Sequence, residues 1–249
     1  RSPAVLYSSG EDGRVSIWDT RGGGGEAIQC DAEANCTSIG CGETLLAVAS
    51  GTAVHFYDLR NRKKLGMYAD NHTDIVTQVA FNPQNETELL TGAEDGLMCL
   101  YSTTAAAADE SLLSIMNPNC AVRRIGFFGG NCEGAYCVTG VETLSLWHHQ
   151  TAQCIRDWTD VREASVGWGC APLEYLVDCH YESAADRLLL LGGSWDGSAT
   201  ICAVTDREVM PLRTLAGGHR AGVRTFDLNG NVMVTGGEDS RVCVWDVSE

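Results

Sequence analysis

The side chains with reactive chemistry are six histidines and twelve cysteines. An imidazole can move a proton or hold a metal, and a thiolate can bind a metal or attack a carbon. Either task needs partners at a defined spacing. The histidines are His55, His72, His148, His149, His180 and His219. The pair His148-His149 follows Trp147 and is expected on an exposed connection. A metal there would need Cys137 or Cys154, at a spacing that no known site class demands. The cysteines form no C-x-x-C pair and no cysteine–histidine zinc spacing. No glycine-rich loop leads into a helix to cradle a phosphate, and no serine elbow or paired carboxylates stand out. The expectation is a chain with no catalytic residues, no metal and no cofactor.

Many of these residues read as structural instead. Cys99, Cys202 and Cys243 sit inside apolar runs, where a reduced cysteine packs as a small hydrophobe. Reduced thiols imply a reducing compartment, the cytosol or the nucleus. Asn35, Asn71 and Asn85 open N-x-T triplets, which matter only in a secreted chain and are read as chance matches. Of the 249 residues, 44% are hydrophobic and 20% charged, as in an ordinary globular domain. The net charge of −16 disfavours a grip on nucleic-acid phosphates or anionic lipid and suits a basic protein segment. No apolar run is long enough to span a bilayer, so no membrane partner is expected.

The elements that must position these residues are short strands in a repeating order. One motif runs apolar strand, small residues, Asp turn, second apolar strand, aromatic. It is clearest over residues 6–19, 89–101 and 232–246. In each copy a hydroxyl residue stands four before the Asp and an aromatic six after it. Shorter copies at 45–58 and 138–147 lack the Asp turn, and a degenerate copy covers 190–202. In that last copy Trp195-Asp196 is a decoy, because its Asp falls at the turn and Cys202 takes the aromatic place. The strand-ending landmarks at 18, 57, 101, 147, 202 and 245 are 39, 44, 46, 55 and 43 residues apart. Each interval holds further β runs, such as Val76–Phe81 and Val223–Phe226, and no helical period appears.

These repeats resemble the WD40 family, and the resemblance covers essentially the whole chain. It implies an all-β propeller with six recognisable blades, incomplete at the first and last, and six or seven in the full ring. About 22 strands are expected, within one domain over residues 1–249. The chain opens on Arg1 rather than Met. With outer strands missing at both ends, it reads as part of a longer protein. The resemblance also implies a hydrogen-bonded tetrad of His219, Thr235, Asp239 and Trp245 inside the last blade. A variant of His72, Thr91, Asp95 and Tyr101 is implied in the third. Trp donates only through its indole N–H, Ser or Thr relays the bond to His, and Asp fixes the other ring nitrogen.

WD40 propellers imply a non-catalytic scaffold that binds other proteins through variable loops. Three places are candidate contacts. Arg60-Asn61-Arg62-Lys63-Lys64 is a basic run suited to an acidic partner or simply a solvated turn. Trp158 and Trp168 flank a long connection and serve either as interface anchors or as caps on the core. Trp18-Asp19-Thr20-Arg21 and Tyr57-Asp58-Leu59-Arg60 resemble the boxes of cullin-four ubiquitin-ligase substrate receptors, where the Arg meets the adaptor. A local pairing of each Arg with its Asp is the alternative. An enzyme with a channel site and a nucleic-acid binder are the rivals from other classes. Gly22 to Gly25 and Ala105 to Ala108 read as surface loop inserts.

Overall fold

The computed structural model describes residues 5–10, 12–22, 24–29, 36–105 and 110–248, with no side chains described over 24–29. Asn35 and Ala106 to Ala108 lie outside these residues. Among the described residues are 22 strands and one short helix. The first sheet holds β1 (Val5–Ser9), β2 (Arg14–Asp19) and β3 (Gly24–Gln29). The second holds β4 (Cys36–Cys41), β5 (Leu45–Ser50), β6 (Ala53–Asp58) and β7 (Lys64–Tyr68). The third holds β8 (Val76–Phe81), β9 (Glu88–Ala93), β10 (Met98–Ser102) and β11 (Leu112–Met116). The fourth holds β12 (Val122–Phe128), β13 (Gly134–Thr139), β14 (Leu144–His148) and β15 (Gln153–Trp158). After the helix α1 (Val161–Ser165), the fifth holds β16 (Tyr175–Glu182), β17 (Arg187–Gly193), β18 (Ala199–Val204) and β19 (Val209–Leu215). The sixth holds β20 (Val223–Asn229), β21 (Val232–Gly237) and β22 (Val242–Asp246). In every sheet the strands lie in chain order, as a meander.

The chain divides into two compact units. One comprises Arg1–Ile125 and His149–Ala152, the other Gly126–His148 and Gln153–Glu249. Within each unit the inner strands are apolar on both faces, because alternate side chains point to opposite sides of a sheet. In the first unit, Leu46 and Val48 of β5 pack with Val15 and Tyr57. Ala47 and Ala49, on the other face, pack with Val76, Phe81 and Leu89. In the second unit β17 repeats the arrangement. Leu188 and Leu190 join Val138, Leu144 and Leu176, while Leu189 and Leu191 join Val223, Leu228 and Met233. A sheet buried on both faces reads as a continuous apolar run, which is why β5 and β17 carry no alternation.

Hydrogen bonds also tie the second sheet to the third, and the third to the start of β12. In β4 and β8 the register slips by one residue, at Thr37 and at Thr77. The extra residue of such a bulge is turned out of the ladder. Thr37 Oγ1 donates to Val76 O at 2.6 Å, while Ser38 Oγ accepts from Val79 N at 3.2 Å. Forty residues on, Thr77 Oγ1 donates to Val122 O at 2.8 Å and Gln78 Oε1 accepts from Ile125 N at 2.9 Å. The bulge and the polar side chain beside it act as one hook.

Three expectations are corrected here. Residues 161–165 form a helix where only a loop was expected, with Val161 and Ser165 buried. Ser165 Oγ accepts from Leu173 N at 2.8 Å, which pins the returning chain. Gly24 and Gly25 start strand β3, because their backbones pair with Asp19 and Trp18. His149 is buried rather than exposed, because the turn 149–152 packs into the unit that contains β9 and β11. Its Nε2 lies 4.0 Å from Glu88 Oε2, and its carbonyl accepts from Ser114 Oγ.

Replacing Thr77 with Val keeps the shape and deletes the donor. The expected loss is about 1 kcal/mol, or about 2–4 °C in Tm for a chain of this size. Thermal unfolding followed by circular dichroism measures it, with the far-ultraviolet spectrum at room temperature unchanged.

Candidate interaction surface

Two buried hydrogen-bonded chains fix the turns from which the surface is built. In the sixth sheet Trp245 Nε1 donates to Thr235 Oγ1 at 2.8 Å, and Thr235 Oγ1 lies 2.8 Å from His219 Nε2. His219 Nδ1 lies 3.0 Å from Asp239 Oδ1. An ionised carboxylate only accepts, so the ring proton sits on Nδ1. Nε2 then accepts from Thr235, whose oxygen is left to receive the indole N–H. Every proton in the chain has one direction. Asp239 also accepts from the backbone N–H of Arg220 (2.8 Å) and of Arg241 (3.1 Å), so one carboxylate clamps two loops. Desolvation pushes its carboxyl upward, but the donors from His219, Arg220 and Arg241 outweigh this and hold it at about 2.

The third sheet carries the variant. His72 Nε2 lies 2.7 Å from Thr91 Oγ1, and His72 Nδ1 lies 3.1 Å from Asp95 Oδ2. Asp95 accepts from Thr73 N at 2.9 Å and Leu97 N at 3.0 Å, again clamping two loops. Tyr101 replaces the Trp, with its hydroxyl against the Thr91 and Asn71 side chains. Burial drives that phenol well above the usual tyrosine range. Burial also lowers His72 below the ordinary histidine value of 6.5, against the opposing pull of Asp95.

Two further sheets hold the Trp half of the device without the His. Trp18 Nε1 donates to Ser8 Oγ at 2.9 Å. In the fourth sheet Trp147 Nε1 donates to Ser145 Oγ at 2.8 Å. There the acceptor has changed strands. Thr91 pairs with Cys99 and Thr235 with Cys243, but in the fourth sheet the thiol, Cys137, is on the earlier strand and the hydroxyl, Ser145, on the later one.

The candidate contact residues are dispersed. Arg21 forms a two-pronged pair with its own Asp19, Nη2 to Oδ2 at 2.9 Å and Nε to Oδ1 at 3.1 Å. That contact lowers the Asp19 carboxyl to about 2. Arg60 differs. Asp58 is occupied by the Asn61 side chain at 3.0 Å and by the Arg60 backbone N–H at 2.7 Å, and the Arg60 guanidinium makes no ion pair among the described residues. Arg60, Arg62 and Lys63 lie in the β6–β7 turn, and Lys64 opens β7. Trp158 is not an exposed anchor. It ends β15 at 7% exposure within the apolar cluster of the second unit, with the Arg156 guanidinium 5.7 Å from its ring centroid. Trp168 is half-buried against the same cluster. Both rings cap the core because the helix α1 folds this connection down onto it. Among the described residues no group of His, Cys, Asp and Glu side chains is placed to hold a metal.

One surface feature escaped the sequence reading. Trp195 is 51% exposed on the β17–β18 turn, and its ring lies 4.6 Å from that of Tyr175. The Arg224 guanidinium covers both rings, 5.1 Å from Trp195 and 5.4 Å from Tyr175. Glu238 Oε1 holds that guanidinium at 2.7 and 2.8 Å. Glu174 Oε2 accepts from Trp195 N at 2.6 Å, and Tyr175 Oη accepts from Val223 N at 2.6 Å. A Cβ on Gly222 would stand 3.2 Å from the Trp195 ring, so the glycine permits the close approach. Arg224 occupies the register slip of β20, the place that Thr77 takes in β8. The legible signal was a Trp-Asp pair at a turn; its partners 20 and 29 residues away were not.

Two measurements test the buried chains. Thr235→Val leaves the Trp245 N–H and the His219 ring without their shared oxygen, with an expected loss of about 2–4 kcal/mol in chemical denaturation. The lowered His72 keeps the folded chain unprotonated at this site while the unfolded chain takes a proton near 6.5. The site's contribution to stability is therefore full above that value and falls as pH drops below it. Melting temperatures measured from about pH 7.5 down to about pH 5.5 should fall more for the wild type than for His72→Gln.

Comparisons with known proteins agree with this architecture. The WD40 family profile (WD domain, G-beta repeat) matches residues 63–102 and 210–246, the stretches that contain all four residues of each tetrad. The chain is 33% identical to WD repeat-containing protein GTS1 of Arabidopsis thaliana, over all of this chain and 68% of that protein. It is 29% identical to the WD repeat-containing protein 89 homolog of Dictyostelium discoideum, over 97% of this chain and 68% of that protein. A chain in the crystal structure of the mitotic checkpoint complex shares the fold with a TM-score of 0.80 at 14% identity, covering 99% of this chain and 72% of that one. The tetrads, the six meander sheets and these relatives establish that the chain belongs to the WD40-repeat β-propeller family, among proteins of the WD repeat-containing protein 89 type.

Proposed function

We propose that the chain is a non-catalytic scaffold that holds other proteins. WD40 propellers generally act as protein-interaction scaffolds. The observation that carries the reading for this chain is the Trp195 platform. An aromatic ring half in water, fixed by a second ring and a guanidinium, offers a large contact area at little cost in conformational entropy. The imidazoles of His72 and His219, by contrast, are buried and already bonded on both nitrogens. They serve the fold.

A second reading, a substrate receptor of a cullin-four ubiquitin ligase, draws support from one place. Arg60 is exposed and its carboxylate neighbour is engaged elsewhere, so its guanidinium is available to an adaptor. Arg21, locked to Asp19, argues the other way. We also propose a reducing compartment, the cytosol or nucleus, supported by Cys99, Cys179 and Cys202, which pack as thiols in the apolar core. A disulfide found by mass spectrometry after alkylation of intact cells would remove that assignment.

Affinity purification and mass spectrometry from cells, with wild type, Trp195→Ala and the double variant Arg21→Ala/Arg60→Ala side by side, tests both functions. Trp195→Ala is expected to lose a defined set of proteins while its melting temperature holds. Identical sets from wild type and Trp195→Ala would refute the platform. A ligase adaptor that co-purifies with wild type and disappears with the double variant would put the receptor reading first.

A further inference from the structure

We propose that the first unit has a second contact site, an apolar cleft edged by cations that takes an apolar side chain from a partner segment whose flanking residues are acidic. The inference rests on the scaffold reading but not on the Trp195 platform. The cleft has a volume of about 720 Å³ and is framed by the start of β1, the β4–β5 turn, the β6–β7 turn and the end of β8. Leu6, Ile39, Leu59, Phe81 and Pro83 supply an apolar lining, and Arg60 stands on it. Leu6 is 58% exposed, so an apolar side chain entering the cleft would remove surface that water now covers.

Charge selects the kind of segment. The chain has 33 carboxylates for 17 Lys and Arg, yet Arg60, Lys63 and Lys64 stand within five residues with no ion pair among the described residues. The turn is closed on itself, with Arg62 N donating to Asp58 O at 2.7 Å and Asp58 N to Lys63 O at 2.9 Å. Asp58, the nearest carboxylate in sequence, is taken by Asn61. A tight turn that presents unmatched cations beside an apolar cleft complements an acidic, apolar-anchored segment. Glu43, also at the cleft, lies on the β4–β5 turn beside it, where Thr44 O accepts from Leu59 N at 2.9 Å, and its backbone N–H is bonded to Glu86 at 2.9 Å. A carboxylate of the segment is repelled by Glu43 and drawn to Arg60, Lys63 and Lys64, so the acidic residues lie over the β6–β7 turn.

The test is fluorescence anisotropy with a labelled synthetic peptide, a central phenylalanine flanked by glutamates. Binding to wild type is expected, with affinity about tenfold weaker when serine replaces the phenylalanine, and about tenfold weaker again for the protein variant Arg60→Glu/Lys63→Glu/Lys64→Glu. All three side chains are exposed, so the variant should melt as wild type does. It should also gain affinity for the same peptide with lysines in place of glutamates. Trp195→Ala should bind the glutamate peptide unchanged, which separates this site from the platform. No binding of the glutamate peptide to wild type overturns the proposal, as does equal binding of the serine peptide. Binding of oligouridine RNA with the same dependence on the three cations also overturns it, because charge alone would then explain the turn.

Discussion

Burial of both faces of the inner strands governs this architecture. A sheet that covers only one face can alternate apolar and polar residues. The sheets that contain β5 and β17 cannot, because neighbours press on each side. At roughly 25 cal/mol for each Å² removed from water, the apolar contacts between sheets supply most of the driving force. They give little direction, since Leu against Val tolerates sliding. Directional bonds fix the alignment: the bulge hooks at Thr37 and Thr77 between neighbouring sheets, and the tetrads within single sheets.

The polar chains are costly to place in such a core, and each is fully directed. From the Trp245 indole through Thr235 and His219 to Asp239, every donor meets one acceptor. That completeness makes a buried polar network compatible with packing. The fourth sheet shows what is required and what is optional. Trp147 needs an oxygen, and Ser145 on its own strand supplies it as well as a hydroxyl across the ladder does in the sixth sheet. The position of the acceptor can move between strands; its presence cannot be dispensed with.

Much of the fold was legible because its signals are local. The hydroxyl four before the Asp and the aromatic six after it reach across one hairpin, so a single stretch of sequence displays the whole relation. The strands around Val76 and Val223 and the spacing of the landmarks follow in the same way. What stayed hidden depends on distant residues. The burial of His149 rests on a turn packing against β9 and β11, and nothing in the local sequence around 149 records that. The Thr37 and Thr77 hooks stand forty residues apart, but threonine and its polar successor are too common to read without the bulge. Trp158 and Trp168 left two readings open, and the helix over 161–165 decided between them. The Trp195 platform needed Tyr175 and Arg224, which only the pairing of separate sheets brings near.

The fifth sheet has a consequence for how binding can change. Its β17–β18 turn carries no tetrad; Asp196 there bonds to Ser198, two residues on. The exposed ring of Trp195 is braced from the sixth sheet instead, by Arg224 and, through it, by Glu238, the residue before the Asp239 clamp. Gly197 of the same turn lies against the His219 backbone, where a Cβ would come within 2.5 Å. The ring stands on one hairpin and its supports on another, the one that carries a tetrad. Recognition can therefore drift through the exposed ring, while the brace behind it stays bound to the framework.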